Sequence, residues 1–250
     1  MELRTAGNYS LTVKMGNWGN FDYFEGAHVE LGIKALIFIS KTDCEPVPID
    51  PLKSLRKRNI NGVMKIYDIF FRYDRLVVVT EPAPRGAMFD YFYNLHATLD
   101  QITAIDLVLK ILAPLQKLHA MNDAVGYMDE SSVFFFQGDN VKIGGDWLIH
   151  YENLKAVSRF ELAPEDLFEA KIRDIARCGS ILFRLVNQET LRQNNPSYKK
   201  ILQSNPVDIH PTLLEVIQKS VNLQTPRYEN ASEMIGELKA VKEILQSKGI

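Results

Sequence analysis

The chain has 250 residues, 46% hydrophobic and 24% charged, with 29 basic against 31 acidic side chains. That length can bury a large core in one large domain or two packed lobes, and the apolar content excludes a disordered chain. The formal net charge of −2 gives no electrostatic reason to bind nucleic acid or an anionic membrane.

Cys44 and Cys178 stand far apart, with no C-x-x-C and no histidine at metal spacing. No structural zinc site is expected, and the thiols suit a reducing cytosol. No apolar run approaches the roughly 20 residues that cross a bilayer. Met1 to Thr5 lack the apolar stretch of a signal peptide, so a soluble, cytoplasmic protein is expected and its Asn-x-Ser triplets are chance matches.

The first part of the chain reads as strands: Tyr9 to Val13, Phe21 to Phe24, His28 to Leu31 and Ala35 to Ser40. Pro46, Pro48 and Pro51 leave room only for a short helix around Pro51 to Arg56, since proline is tolerated at a helix start and not within it. Strands at Met64 to Phe71 and Leu76 to Glu81 complete an antiparallel block with one helix, and Pro82, Pro84 and Gly86 mark a hinge. Beyond it the period turns helical, with helices expected over Met88 to Leu95 and Asp100 to Met121, the second with Pro114 as a place to kink. Two short strands, Val133 to Phe136 and Val141 to Ile143, flank a Gly138-Asp139-Asn140 turn. Helices are then expected from about Asp166 to Val186, over Pro211 to Asn222 and over Ser232 to Gln246.

The stretch from Leu118 to Leu148 organises the rest: helix end, polar loop, strand, tight turn, strand. This is the layout of a protein-kinase catalytic loop and metal-binding loop, whose signatures are H-R-D-x-x-x-x-N and D-F-G. Counting from Val141 puts the H-R-D positions on Val125, Gly126 and Tyr127, the Asn position on Ser132, and D-F-G on Gly145, Asp146 and Trp147. Phosphoryl transfer needs a carboxylate base and oxygen ligands for Mg²⁺; valine, tyrosine and glycine supply neither. By this count the frame is kept and the reaction is lost.

Four further strings sharpen the likeness. Gly32-Ile33-Lys34-Ala35-Leu36-Ile37-Phe38 puts phenylalanine where an ATP-binding lysine would stand. Leu52 to Ile60 is similar to K-x-L-R-H-P-N-I, Leu76 to Glu81 to L-Y-V-V-T-E, and Val141 to Gly145 to a K-L-G-G that replaces D-F-G. The chain thus resembles the protein kinase-like fold and, within it, the Scy-like (N-terminal kinase-like) pseudokinases. That resemblance implies an α+β, bilobal domain over residues 1–250: a β-rich N-lobe (1–81), a hinge (82–86) and a mainly α-helical C-lobe (87–250). It also implies a catalytically inactive scaffold or adaptor that binds protein partners in intracellular vesicle traffic or tRNA export, peripheral to Golgi or ER membranes. Ala163-Pro164-Glu165 and Gly179 fall at kinase landmarks, and Asp174 would cap the backbone of the catalytic loop. Members usually continue into a helical-repeat region and a basic tail, whereas this sequence ends at Lys248-Gly249-Ile250. The arginine that commonly pairs with the A-P-E glutamate falls near Glu229, with Arg227 two residues off.

The chemical candidates are few. Gly16-Asn17-Trp18-Gly19 reads either as a phosphate loop or as a turn with a packed tryptophan. Lys34 and Lys41 flank Phe38 and neither is expected to reach its place; the helix glutamate that would pair with such a lysine falls near Pro48, with Glu45 a turn away. The alternative function is an atypical ATP-binding protein or weak kinase that uses shifted carboxylates, Asp146 as metal ligand and Asp129 as base, against a reading of both as capping or surface groups. Phe134, Phe135 and Phe136 read as buried strand residues. Lys53, Arg56, Lys57 and Arg58 form the one basic cluster, taken as a solvated helix end. His28, His96, His119, His150 and His210 stand without a Ser, Cys or carboxylate at nucleophile or metal spacing. The sequence therefore assigns no catalytic, cofactor-binding or metal-ligating residue and no cofactor. The expected partners are proteins, with no nucleic acid and no small-molecule ligand.

Overall fold

The computed structural model describes residues 5–249 apart from 43, 45, 89, 91–97, 137–139, 159–166, 188–195 and 226. Strands β1 (Thr5–Ala6), β2 (Tyr9–Trp18), β3 (Phe21–His28), β4 (Lys34–Ser40), β5 (Ile66–Arg72) and β6 (Arg75–Thr80) form one antiparallel sheet in the order β1-β2-β3-β4-β6-β5. Two expectations change. His28 to Leu31 is not a strand: His28 closes β3, and its Nδ1 accepts from the Glu30 and Leu31 N–H groups at 3.3 Å, which turns the chain locally instead of pairing it. The first strand runs on past Val13 to Trp18, because register shifts at Leu11/Val13 and Lys14/Gly16 absorb extra residues.

Both faces of this sheet are covered. In β4, Leu36 and Phe38 join the cluster that faces the helical lobe, while Ala35, Ile37 and Ile39 join a second cluster with Val77 and Val79. Burial on both sides is why these strands read as continuous apolar runs rather than alternating ones. The short helix α1 (Ile49–Ser54) keeps Pro51 in its first turn and continues as a 3₁₀ turn over Leu55–Lys57.

The second lobe begins with α2 (Gln101–Ala120), whose N-cap Asp100 accepts from the Thr103 N–H at 2.8 Å. The hairpin β7 (Val133–Phe135) and β8 (Val141–Ile143) follows. Helix α3 (Asp146–Ser158) starts three residues later, where no helical period marks it in the sequence. Its buried residues Trp147, Ile149 and Tyr151 alternate like those of a strand and hide the helical period. Helices α4 (Leu167–Val186), α5 (Tyr198–Leu202), α6 (Pro211–Val221) and α7 (Ala231–Ser247) complete the lobe, and α5, also unforeseen, is too short to show a period. Most of the expected helix from Met88 to Leu95, Gly138 and Asp139 of the expected turn, and Ala163-Pro164-Glu165 lie outside the described residues. No helix among the described residues is long and apolar enough to cross a membrane.

Helices α2, α4, α6 and α7 share one core, with Leu112, Leu182, Ile217 and Leu238 fully buried. The approach of α4 to α6 depends on Gly179, where an added Cβ would lie 2.8 Å from Ser220 Cβ and closer still to its Oγ. Gly179→Ala is therefore expected to cost about 1–3 kcal/mol by overpacking, and Ser220→Ala in the same chain should return part of it. Urea unfolding measures both, and an additive pair would contradict the contact.

Candidate functional site

The two lobes meet through six aromatic side chains: Trp18 at the end of β2, Phe21 and Tyr23 of β3, Phe38 of β4, Phe134 of β7 and Trp147 of α3. All are buried. Trp147 stands edge-on to Phe21 at 4.8 Å between ring centroids and to Trp18 at 5.6 Å, and lies 6.1 Å from Phe38. Phe38 in turn packs 5.7 Å from Tyr23, 6.1 Å from Trp18 and 6.2 Å from Phe134. Such pairs contribute about 0.5–1.5 kcal/mol each beyond the apolar area they bury. Among the described residues the indole N–H of Trp147 has no hydrogen-bond partner, which offsets part of that gain.

The glycines of this region serve the rings. A Cβ at Gly16 would lie 2.8 Å from the Tyr23 ring carbon that bears the hydroxyl, and one at Gly145, whose φ is +88°, would lie 2.8 Å from Trp18 Cζ2. Of the two readings of Gly16 to Gly19, the coordinates show the packed tryptophan: Gly16 lies within β2 and the hairpin turns at Gly19 and Asn20. Burial, together with the Asp90 carboxylate hydrogen-bonded to the hydroxyl, pushes the Tyr23 phenol up to about 12. Lys34 is exposed at the start of β4, and Lys41 Nζ donates to the Gly19 carbonyl at 3.0 Å, so neither lysine stands with Phe38. Glu45 lies outside the described residues.

Beneath the aromatic cluster lies a polar group that the sequence did not announce. Arg58, the residue after the 3₁₀ turn, pairs with Asp123 and places Nη1 3.1 Å from Asp146 Oδ2. His150 Nε2 lies 3.0 Å from Asp123 Oδ1 and 3.1 Å from Arg58 Nη2. Arg58 thus departs from the expected solvated cluster, whereas Arg56 stays exposed and pairs with Asp68 at 3.4 Å. The one available signal was Asp146 and His150 at i and i+4, neighbours on a helix face. Burial raises the Asp146 carboxyl above its ordinary value, with Arg58 and His150 opposing. For Asp123 the same desolvation is outweighed by His150, Arg58 and the Ala124 N–H, and its carboxyl titrates below the ordinary value.

The other positions are also engaged. Asp129 caps the 3₁₀ turn Glu130–Ser132, accepting from Ser131 and Ser132 N–H at 2.8 and 3.1 Å, while the Ser132 hydroxyl donates to the Asp129 carbonyl at 2.8 Å. Desolvation and the neighbouring Glu130 raise Asp129. Asp174 accepts from the Val125 and Gly126 N–H groups, each at 2.9 Å, and lies 3.2 Å from His119 Nε2. That is the loop-capping role expected of it, on the two loop residues expected from the count. His119 and His150, scattered in sequence, each meet a buried aspartate; His96 lies outside the described residues. Lys142 Nζ bonds both Glu81 oxygens at 2.6 Å and sits 4.6 Å from the Phe136 ring centroid, which joins the K-L-G-G-like and V-V-T-E-like strings. Phe134 is buried, while Phe135 and Phe136 are partly covered. Arg227 reaches Glu169 at 3.7 Å. Among the described residues no group of three or more His, Cys, Asp or Glu is placed to hold a metal ion.

No family model matches the chain, and no curated protein matches it. Among solved structures, one titled "Crystal structure of Rad53 1-466 in complex with AMP-PNP" superposes with a TM-score of 0.68 over 92% of this chain, at 14% identity. The chain has a protein kinase-like fold. It covers 64% of that structure's chain, and at this identity the likeness extends to the fold alone.

Two outcomes follow from the Arg58 group. Arg58→Met takes the arginine from two buried carboxylates, leaving Asp146 without its ion-pair partner, and is expected to cost about 3–5 kcal/mol at neutral pH; urea unfolding checks it, and a loss within experimental error would count against the pairing. Because the folded-state value of Asp146 is raised, its contribution is fully present below the ordinary value of 3.8 and is lost as pH rises through the folded-state value. Asp146→Asn removes that loss, so the stability of the variant relative to the parent should climb with pH above 3.8. A pH-independent difference between the two chains would contradict it.

Proposed function

We propose that the chain is a catalytically inactive kinase-fold scaffold that binds protein partners. The observation that carries this reading is the aromatic packing of Phe38 against Trp18 and Trp147, side chains at the places the resemblance gives to the ATP lysine, the phosphate loop and the metal-binding loop. Support also comes from the loop that Asp174 caps, which carries Val125, Gly126 and Tyr127 where a catalytic loop carries H-R-D. A kinase assembles its base, its metal ligands and its phosphate-binding groups together. The rival reading, nucleotide chemistry through Asp146 and Asp129, would require Asp146 to leave Arg58 and Asp129 to give up the turn it caps.

By its resemblance to the Scy-like pseudokinases, the chain would serve intracellular vesicle traffic or tRNA export, as a cytoplasmic protein peripheral to Golgi or ER membranes. The resemblance carries this part of the proposal by itself.

The test is thermal. A ligand that binds the folded state stabilises it by RT ln(1 + [L]/Kd), so ATP with Mg²⁺ at millimolar concentration should leave the melting temperature unchanged, and radiolabelled ATP should transfer no phosphate to the chain or to a generic protein substrate. A concentration-dependent rise in melting temperature, or transfer abolished by Asp146→Ala, would refute the proposal.

A further inference from the structure

The end strands of the large sheet, β1 and β5, curl toward each other. Arg72 Nη1 donates to the Thr5 carbonyl at 2.7 Å, and a Cβ at Gly7 would lie 2.8 Å from the Phe70 ring. The face they enclose is the second apolar cluster, and at one end of it opens a cavity of about 260 Å³. Ala6, Ile39 and Val77 give it buried apolar walls, and Arg72, Tyr73 and Arg75 at the β5–β6 turn form its outer wall. Tyr73 is 76% exposed, and the Arg72 guanidinium lies 5.2 Å from its ring centroid. Arg75 forms no salt bridge among the described residues.

We propose that this cavity binds the C-terminal carboxylate of a partner peptide that ends in an apolar residue. The volume lies below the range of pockets for drug-sized ligands and suits one or two apolar side chains. A guanidinium matches a carboxylate through two parallel hydrogen bonds, and Arg75 beside the apolar walls can offer that fork, while Arg72, held by the Thr5 carbonyl, adds positive charge. The Thr5 carbonyl of the end strand β1 is taken by Arg72, whereas β5, the other end strand, leaves its outer backbone edge unpaired within the sheet among the described residues, which an extended peptide can use and a fatty acid cannot. The proposal names a partner chemistry for the scaffold reading and rests on that reading only in expecting a protein ligand. The residues around the cavity are not those of the interlobe aromatic cluster, so the nucleotide test and this one fail independently.

The experiment uses the full chain and a pool of fluorescein-labelled pentapeptides ending in Leu, Ile, Val or Phe, read by fluorescence anisotropy. Saturable binding is expected from the free acids, with the C-terminal amides weaker by about tenfold or more. Arg75→Gln should weaken the free acids by a similar factor at an unchanged melting temperature, and Arg75→Lys should restore part of the affinity. Absence of saturable binding, equal affinity for acid and amide, or indifference to Arg75→Gln would overturn the site. Displacement of bound peptide by octanoate at lower concentration than by unlabelled peptide would overturn the peptide as its occupant.

Discussion

The contact on which the molecule depends is the edge-on packing of Trp147 against Phe21 and Trp18. Trp147 is the second residue of α3, while Phe21 and Trp18 flank the β2–β3 hairpin. Through these rings the strand lobe and the helical lobe share one apolar cluster, in which Phe38 is packed on several sides. The geometry also fixes the backbone. Gly16 and Gly145 are needed because any larger residue would meet Tyr23 or Trp18, so both glycines serve the close approach of rings.

Below the rings, the charges follow from the same packing. Setting α3 immediately after β8 buries Asp146, and a buried carboxylate requires a partner. Arg58 supplies it from the N-lobe side and holds Asp123 as well. The resulting group ties the segment after α1 to the loop after α2 and to the start of α3. It is a second link between the lobes, polar where the first is apolar. Asp174, by contrast, works within the helical lobe, where it accepts from the Val125 and Gly126 N–H groups and so holds the loop that runs on to Tyr127.

The legible part of the chain was the part with strong local pattern. The strand runs around Leu36 and Val78, the hairpin at Val133 to Ile143 and the long helices of the C-lobe announced themselves through period and punctuation. Asp174 could be placed because its position was fixed by order along the chain. What remained hidden was set by distant residues. Helix α3 shows no amphipathic face since it is buried in an alternating pattern. The turn after His28 depends on an imidazole acceptor that no propensity anticipates. Arg58 looked like one cation in a basic run, and its meeting with residues 65 and 88 positions further along the chain is a tertiary fact. Trp18 was the middle case: the sequence left open whether Gly16 to Gly19 formed a phosphate loop or a turn with a packed tryptophan, and the buried Trp18 ring against Gly145 shows the packed tryptophan.

Between the two lobes of this kinase-like fold, aromatic packing fills the space where they meet. The chain offers an internal reporter of that claim, since its two tryptophans, Trp18 and Trp147, both lie in the cluster. The most direct measurement is intrinsic tryptophan fluorescence during titration with ATP and Mg²⁺ to millimolar concentration, with acrylamide quenching at each step. The account predicts a blue-shifted emission, weakly quenched and unchanged by nucleotide. A saturable red shift with rising quencher access, showing the rings displaced by a bound nucleotide, would contradict it.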